Sequence, residues 1–181
     1  MNQLKRVLVL GGALFVWASS AMAVDGVSIE GGTTAGDDPN TEMWRVGAQW
    51  DWKKRWFQSD SGWFLGGYWD TSVGHWNSRD DSGSDIYDFG VTPVFRYQKE
   101  GYGPYVEAAI GFHYLSNTDI NRTRRFSTHF QFGDHIGVGY RFGKDGAYDI
   151  AYRLQHLSNG GIDEPNPGIN FHQIRFQYHF Q

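Results

Sequence analysis

The chain has no cysteine, which excludes disulfide bonds and thiol chemistry from its stability and its activity. It has no excess of basic residues either, since 16 Lys and Arg stand against 20 Asp and Glu. Proteins that bind nucleic acid use clustered positive charge against the phosphates, so this balance argues against a nucleic-acid partner. After residue 23 no long apolar run occurs, which argues against a transmembrane helix.

The first residues have the order of a secretory signal peptide. Two basic residues precede an apolar run that ends at Trp17, and the small-residue triplet Ala-Met-Ala ends at Ala23. This order predicts a signal peptide over 1–23 and a single mature domain over 24–181. Removing the signal leaves 14 basic against 20 acidic side chains, a net charge of −6.

Apolar and polar residues alternate with a period of two along most of the mature chain. From Trp44 to Trp52 the even positions are apolar, and the odd positions are polar or glycine. Aromatic residues make up 17 % of the chain, although its mean hydropathy is −0.53. This combination is typical of transmembrane β-barrels, in which lipid-facing and lumen-facing side chains alternate.

The alternation predicts about eight strands of roughly ten residues or more, the smallest usual size for such a barrel. The predicted strands cover residues 27–31, 44–52, 63–74, 87–97, 105–114, 129–142, 148–155 and 173–180. We therefore predict an all-β fold, an eight-stranded antiparallel transmembrane β-barrel with its longer loops outside. Because proline cannot donate to a strand ladder, Pro93 predicts a local bulge in the fourth strand.

The inward faces carry charged residues, which predict a structural network in a narrow lumen. Its predicted members are Asp88, Arg96, Glu107, Arg141, Asp149, Arg153 and Arg175. His113, His129 and His135 also fall on inward positions. They have no carboxylate or cysteine at ligand spacing, so we interpret them as packing residues and expect no metal and no cofactor.

His156 and Ser158 form the candidate catalytic pair. Residues two apart in a strand share a face, so the imidazole would stand beside the hydroxyl, as a base must to take its proton. The triplet alone is weak evidence, because a strand that ends in an Asn159-Gly160 turn gives the same pattern.

The parity of the seventh strand places this pair on the lipid-facing side. The outward residues Tyr148 to Leu154 are even-numbered, as are His156, Ser158 and, on the eighth strand, Asn170. Polar groups are costly on a lipid face, which makes them functional candidates for a reaction on lipid. A bulge near His156 would reverse this placement.

The C-terminal segment resembles the outer-membrane lipid A 3-O-deacylases of the PagL family. The residues that carry the resemblance are His156-Leu157-Ser158-Asn159, Gly161, Pro165-Asn166 and Gly168-Ile169. It is specific over about residues 153–176. The resemblance implies a serine esterase of the bacterial outer membrane that hydrolyses the 3-position acyl ester of lipid A, with lipopolysaccharide as substrate. Some members of that family form dimers, so a homodimer stays open.

The same resemblance implies a role for each matching residue. Ser158 is the expected nucleophile and His156 the general base. The Asn166 side chain and the Gly161 N–H are the expected oxyanion donors, and Asn159 supports the site.

The chain departs from the family pattern at Asn170, where the family has a glutamate. Three interpretations stay open: Asn170 orients His156, Asp163 or Glu164 takes that role, or the protein is a weak or silent relative.

Arg122, Arg124 and Arg125 lie in a predicted external loop. Because arginine pairs well with phosphate, they are candidates for contacts with lipopolysaccharide, and a solvated loop is the alternative.

Two other functions compete with the esterase. One is a non-enzymatic small barrel in adhesion or envelope structure, and the other is a soluble periplasmic barrel that binds lipid inside. The second needs an apolar lumen, which the inward charges disfavour.

Overall fold

A computed structural model of the protein describes residues 23–36, 38–79 and 84–180, and these form a closed antiparallel barrel. The strands are β1 (Gly26–Thr34), β2 (Thr41–Asp51), β3 (Trp63–Ser78), β4 (Asp85–Lys99), β5 (Gly103–Leu115), β6 (Phe130–Phe142), β7 (Tyr148–Ser158) and β8 (Ile169–His179). Each strand pairs with the next, and β1 closes the barrel against β8. The predicted fold class is confirmed. Apart from Ala23, the predicted signal peptide lies outside the described residues.

No helix in the described ranges is long and apolar enough to cross a membrane. The loops β1–β2, β3–β4, β5–β6 and β7–β8 share one end of the barrel, called the outer end here, and the termini lie at the inner end. Buried and exposed side chains alternate strictly along β5. The exposed series contains Ile110, Phe112 and Tyr114, a surface suited to lipid contact.

The bulge predicted at Pro93 is wrong. The pairing of β4 with β3 is continuous. Towards β5 the pairing is interrupted at Pro93, but the flanking pairs Val91–Phe112 and Val94–Ala109 keep one register. Because proline lacks an N–H, the ladder loses a hydrogen bond there without taking up an extra residue.

The middle and inner parts of the lumen hold the predicted charge network. Arg96 donates to Glu107 and to Asp149, both at 2.8 Å, and Arg153 donates to Glu107 at 2.6 Å. The buried charged members are Glu30, Arg45, Asp70, Asp88, Arg96, Glu107, Asp149, Arg153 and Arg175. Arg141 is only half-buried and donates to the Gly146 carbonyl at the inner turn. Each of the four buried arginines in the described chain pairs with at least one carboxylate, which offsets the cost of burying it.

The predicted inward histidines divide into two groups. His113 and His135 are buried, and His113 Nδ1 lies 2.7 Å from Asp88. The placement of His129 is wrong, because β6 begins one residue later. Its ring is exposed and stacks on Tyr114, on the outer face. Within the described residues, no group of three or more His, Asp or Glu side chains is arranged to hold a metal ion.

The outer end of the lumen is apolar, which the predicted charge network did not anticipate. Its buried residues are Met43, Trp76, Ile86, Leu115, Ile120, Phe126, Leu157, Ile169 and Phe171. Ile120 and Phe126 come from the β5–β6 loop and pack against the barrel strands. Each such side chain contributes about 1.5–3 kcal/mol when it is fully buried. This cluster supports the outer ends of β7 and β8 from inside.

Candidate functional site

The candidate pair lies at the outer end of β7. His156 is paired with Asn170 on β8 and with Asp134 on β6, and the register is constant along both ladders. No bulge therefore reverses the parity. Leu157 is fully buried in the lumen, whereas His156 and Ser158 on either side of it are half-buried and face outwards.

The His156 ring is held by Asn170. Its Nδ1 lies 2.8 Å from the Asn170 Oδ1 atom. An amide oxygen only accepts hydrogen bonds, so the proton must be on Nδ1, and Nε2 keeps its lone pair. That is the tautomer of a general base. Ser158 Oγ forms no hydrogen bond with any described residue. The hydrogen bond between a nucleophile and its general base is often longer before substrate binds.

Gly168 makes room for the imidazole. Its φ is +63°, in the left-handed region that favours glycine. A Cβ atom at this position would lie 2.6 Å from His156 Cε1. The ring therefore lies directly against the backbone of Gly168, and no other residue fits there without moving it.

Asn159 and Asn166 organise the loop after β7. The Asn166 Oδ1 atom accepts the Asn159 N–H at 3.0 Å, and Asn159 Oδ1 accepts the Gly161 N–H at 2.8 Å. The Asn159 amide nitrogen donates to Ser127 Oγ and to the Asp163 carbonyl. The Gly161 N–H is thus already bonded. By contrast, Asn166 Nδ2 donates no hydrogen bond to any described residue.

Asp163 and Glu164 direct their carboxylates into their own loop. Asp163 Oδ1 accepts the Glu164 N–H at 2.9 Å, and Glu164 Oε2 accepts the Asn166 N–H at 2.9 Å. The structure therefore brings Asn170, and neither acid, to the His156 ring.

The three loop arginines have different surroundings. Arg124 is half-buried and forms an ion pair with Asp38 of the β1–β2 loop. Arg122 and Arg125 are exposed at the outer end. Only the latter two have their side chains open to a ligand from outside.

Two acids at the site were missed by the sequence analysis. Asp134 shares the even parity of Phe132 and Ile136, so the alternation of β6 was a sufficient signal for it. Asp38 accepts hydrogen bonds from Asn170 N at 2.7 Å and from Asn170 Nδ2 at 3.0 Å. No sequence pattern links two residues 132 positions apart.

A mostly apolar groove of about 860 Å³ runs over the outer surface beside His156. Its apolar lining includes Pro93, Phe95, Ala108, Ile110, Ile136 and Leu154, and its polar lining includes Asp134, His156 and Asn170. The groove thus joins an apolar surface, of the kind that binds a hydrocarbon chain, to the candidate catalytic groups.

Comparisons with known proteins show the family to which the chain belongs. Residues 42–179 match the family model described as lipid A 3-O-deacylase (PagL). The lipid A deacylase PagL of Pseudomonas aeruginosa is 32 % identical over 179 residues, which cover 98 % of each chain. That of Bordetella bronchiseptica is 36 % identical over 105 residues, 58 % of this chain and 57 % of the relative. The crystal structure of the outer membrane enzyme PagL superposes with a TM-score of 0.75 and 30 % identity, covering 86 % of this chain and 99 % of that one.

Proposed function

Because the chain belongs to the PagL family of lipid A 3-O-deacylases, we propose that Ser158, His156 and Asn170 form its esterase site on the barrel exterior. The protein is a hydrolase of the bacterial outer membrane that removes the 3-position acyl chain of lipid A. The observation that carries the proposed site is the bond from His156 Nδ1 to Asn170 Oδ1, on the same outward face as Ser158.

In the proposed reaction, Ser158 Oγ attacks the carbonyl carbon of the 3-position ester. His156 Nε2 takes the hydroxyl proton and then gives it to the leaving lipid A oxygen, which departs as an alcohol. Water, activated by the same nitrogen, hydrolyses the acyl-serine and releases the fatty acid. Both bonds broken are ester C–O bonds, so no oxidation state changes and no redox group is required.

The oxyanion of the tetrahedral intermediate needs fixed donors. Asn166 Nδ2 is suited to this role, because the Asn159 N–H holds the Oδ1 end of the amide while Nδ2 donates to none of the described residues. The Gly161 N–H already donates to Asn159 Oδ1, so it can stabilise the oxyanion only through a hydrogen bond divided between the two acceptors. Losing one donor of this kind typically costs about 10²–10³ in rate.

The placement of the site accounts for a lipid substrate. An acyl chain of lipid A lying in the outer-surface groove has its ester beside His156. We also propose that Arg122 and Arg125, which are exposed in the β5–β6 loop at the outer end of the barrel, meet the lipid A phosphates. Arg124 is committed to Asp38 and supports the loop.

Mass spectrometry of lipid A tests the site directly. The parent, Ser158→Ala and His156→Ala are expressed in an outer-membrane host, with Ser61→Ala, in an exposed inner turn, as the matched control. We expect the parent and the control to remove one 3-position acyl chain, and the two site variants to remove none. Barrel folding is checked by heat-dependent gel mobility.

Each result has a separate meaning. Deacylation by Ser158→Ala would contradict the assigned nucleophile. Intact lipid A with a folded parent would identify a silent relative.

We also propose that residues 1–23 are removed on export, and the intact mass of the purified protein tests for a first residue at Val24. Light scattering of the same sample decides between a monomer and a homodimer.

A further inference from the structure

The amide of Asn170 is held by a carboxylate from a distant loop. Asp38 Oδ2 accepts from both the backbone N–H and the Nδ2 of Asn170, at 2.7 and 3.0 Å. The Asp38 side chain is only 8 % exposed, and its other oxygen pairs with Arg124. The Ala35 N–H also donates to the Asn170 carbonyl, at 3.0 Å. The β1–β2 loop is thus fixed to the start of β8 at several points.

This contact decides which end of the amide faces His156. The oxygen and nitrogen ends of an asparagine have the same shape, so only the hydrogen-bond partners select between them. An ionised carboxylate can only accept, and Asp38 therefore requires the Nδ2 end. The Oδ1 end is then turned towards His156 Nδ1, at 2.8 Å.

The opposite orientation would disable the base. With Nδ2 facing the ring, the amide would donate to Nδ1, and the imidazole proton would move to Nε2. A protonated Nε2 cannot take the proton of Ser158. In serine proteases, the change of the orienting aspartate to asparagine costs about 10⁴ in kcat, and a wrong tautomer of this kind is the cause.

We infer that Asp38 is a positioning residue of the deacylase site, which fixes the Asn170 amide so that His156 keeps its proton on Nδ1 and an unprotonated Nε2 that can accept the Ser158 proton. The inference rests on the roles proposed above for His156 and Ser158. The family pattern places an acid at position 170. In this chain the acid is Asp38, which reaches His156 only through its hydrogen bond with Asn170. Its main effect is orientation, because Arg124 neutralises much of its charge.

Crossing two substitutions tests this role. Asp38→Ala removes the acceptor, and we expect kcat to fall about ten- to a hundredfold, as is common for outer-shell partners, with KM changed less than about twofold. Asn170→Glu provides a carboxylate, and both of its oxygens can accept the hydrogen bond from His156 Nδ1–H. Its orientation therefore does not need to be selected by a neighbour. In the parent, that substitution sets two carboxylates side by side. In the Asp38→Ala background it does not, so the double variant should be more active than either single variant.

The rescue separates positioning from a structural role. A loop that is merely loosened by Asp38→Ala is not repaired by a carboxylate on β8. The matched control is Asp119→Ala, which removes an exposed carboxylate from the β5–β6 loop, and we expect it to match the parent. If Asp38→Ala does not fold, Asp38→Asn is crossed with Asn170→Glu instead, because it keeps the volume but no longer imposes one orientation.

The outcomes are distinct. Parent-like kcat in folded Asp38→Ala, or a loss that Asn170→Glu does not restore in a folded barrel, would overturn the positioning role. The proposed site would still stand in both cases if Ser158→Ala is inactive. An active Ser158→Ala would instead remove the proposed site, and the role of Asp38 with it.

Discussion

Asp134 lies directly across the β6–β7 ladder from His156, on the side opposite to Asn170. Directly paired residues of neighbouring strands have Cβ atoms about 4.5–5.5 Å apart. The imidazole of the proposed base is therefore flanked by an acid on one strand and an amide on the other. An exposed acid on a lipid-facing surface is unusual and costly, which favours a role in the reaction.

We expect Asp134→Asn to lower kcat roughly 5- to 30-fold. The positive charge that forms on His156 in the transition state loses about 1–2 kcal/mol of attraction from this carboxylate. Turnover of lipid A in detergent micelles measures the effect. Asp134→Glu keeps the charge and should stay close to the parent. Equal losses in both variants would show that shape rather than charge matters at this position.

Gly168→Ala should reduce kcat at least tenfold, because the added methyl group displaces the His156 ring. The matched control is Gly101→Ala in an inner turn. Gly101 also has a positive φ, +78°, but a Cβ there meets no atom within 4 Å. Both variants carry a backbone cost of about 1 kcal/mol, so thermal unfolding should shift similarly. Activity losses of equal size would contradict the contact between Gly168 and the ring.

Asn166→Asp should lower kcat about 10²–10³-fold, the usual effect of losing one oxyanion donor. The substitution keeps the oxygen that accepts the Asn159 N–H, so the loop stays in place while the Nδ2 donor is removed. Asn117→Asp is the control, because Asn117 Oδ1 also accepts a backbone N–H, that of Asp119, and Asn117 forms no hydrogen bond with the described residues His156, Ser158 or Asn166. The assay is again micellar turnover, and parent-like kcat in Asn166→Asp would exclude its amide as a donor.

Replacing Arg122 and Arg125 together by Gln should raise KM for lipopolysaccharide and leave kcat unchanged. Salt screens exposed charges, so the difference from the parent should shrink between low and high ionic strength. Arg55→Gln, at the inner end of the barrel, controls for the loss of surface charge. A salt-independent change in KM would show that these side chains act by shape and not through phosphate.

The sequence by itself determined the barrel and the face of the site. A period of two is a local property of each strand, because sterics alone send successive side chains to opposite faces. Parity therefore placed His156, Ser158 and Asn170 outside without knowledge of any neighbour. The same parity contained Asp134, whose position among apolar residues of β6 was not used. Pro93 was misjudged because a missing donor can be left unpaired without changing the register.

Only the tertiary structure decided what surrounds these residues. Barrel closure pairs β1 with β8, and this brings the β1–β2 loop, with Asp38, to the outer start of β8 beside Asn170. The apolar cluster at the outer end likewise combines β-strands with Ile120 and Phe126 from a loop. Local periodicity carries no information on contacts between distant loops. The orientation of the Asn170 amide, and with it the tautomer of His156, therefore follows from closure of the sheet.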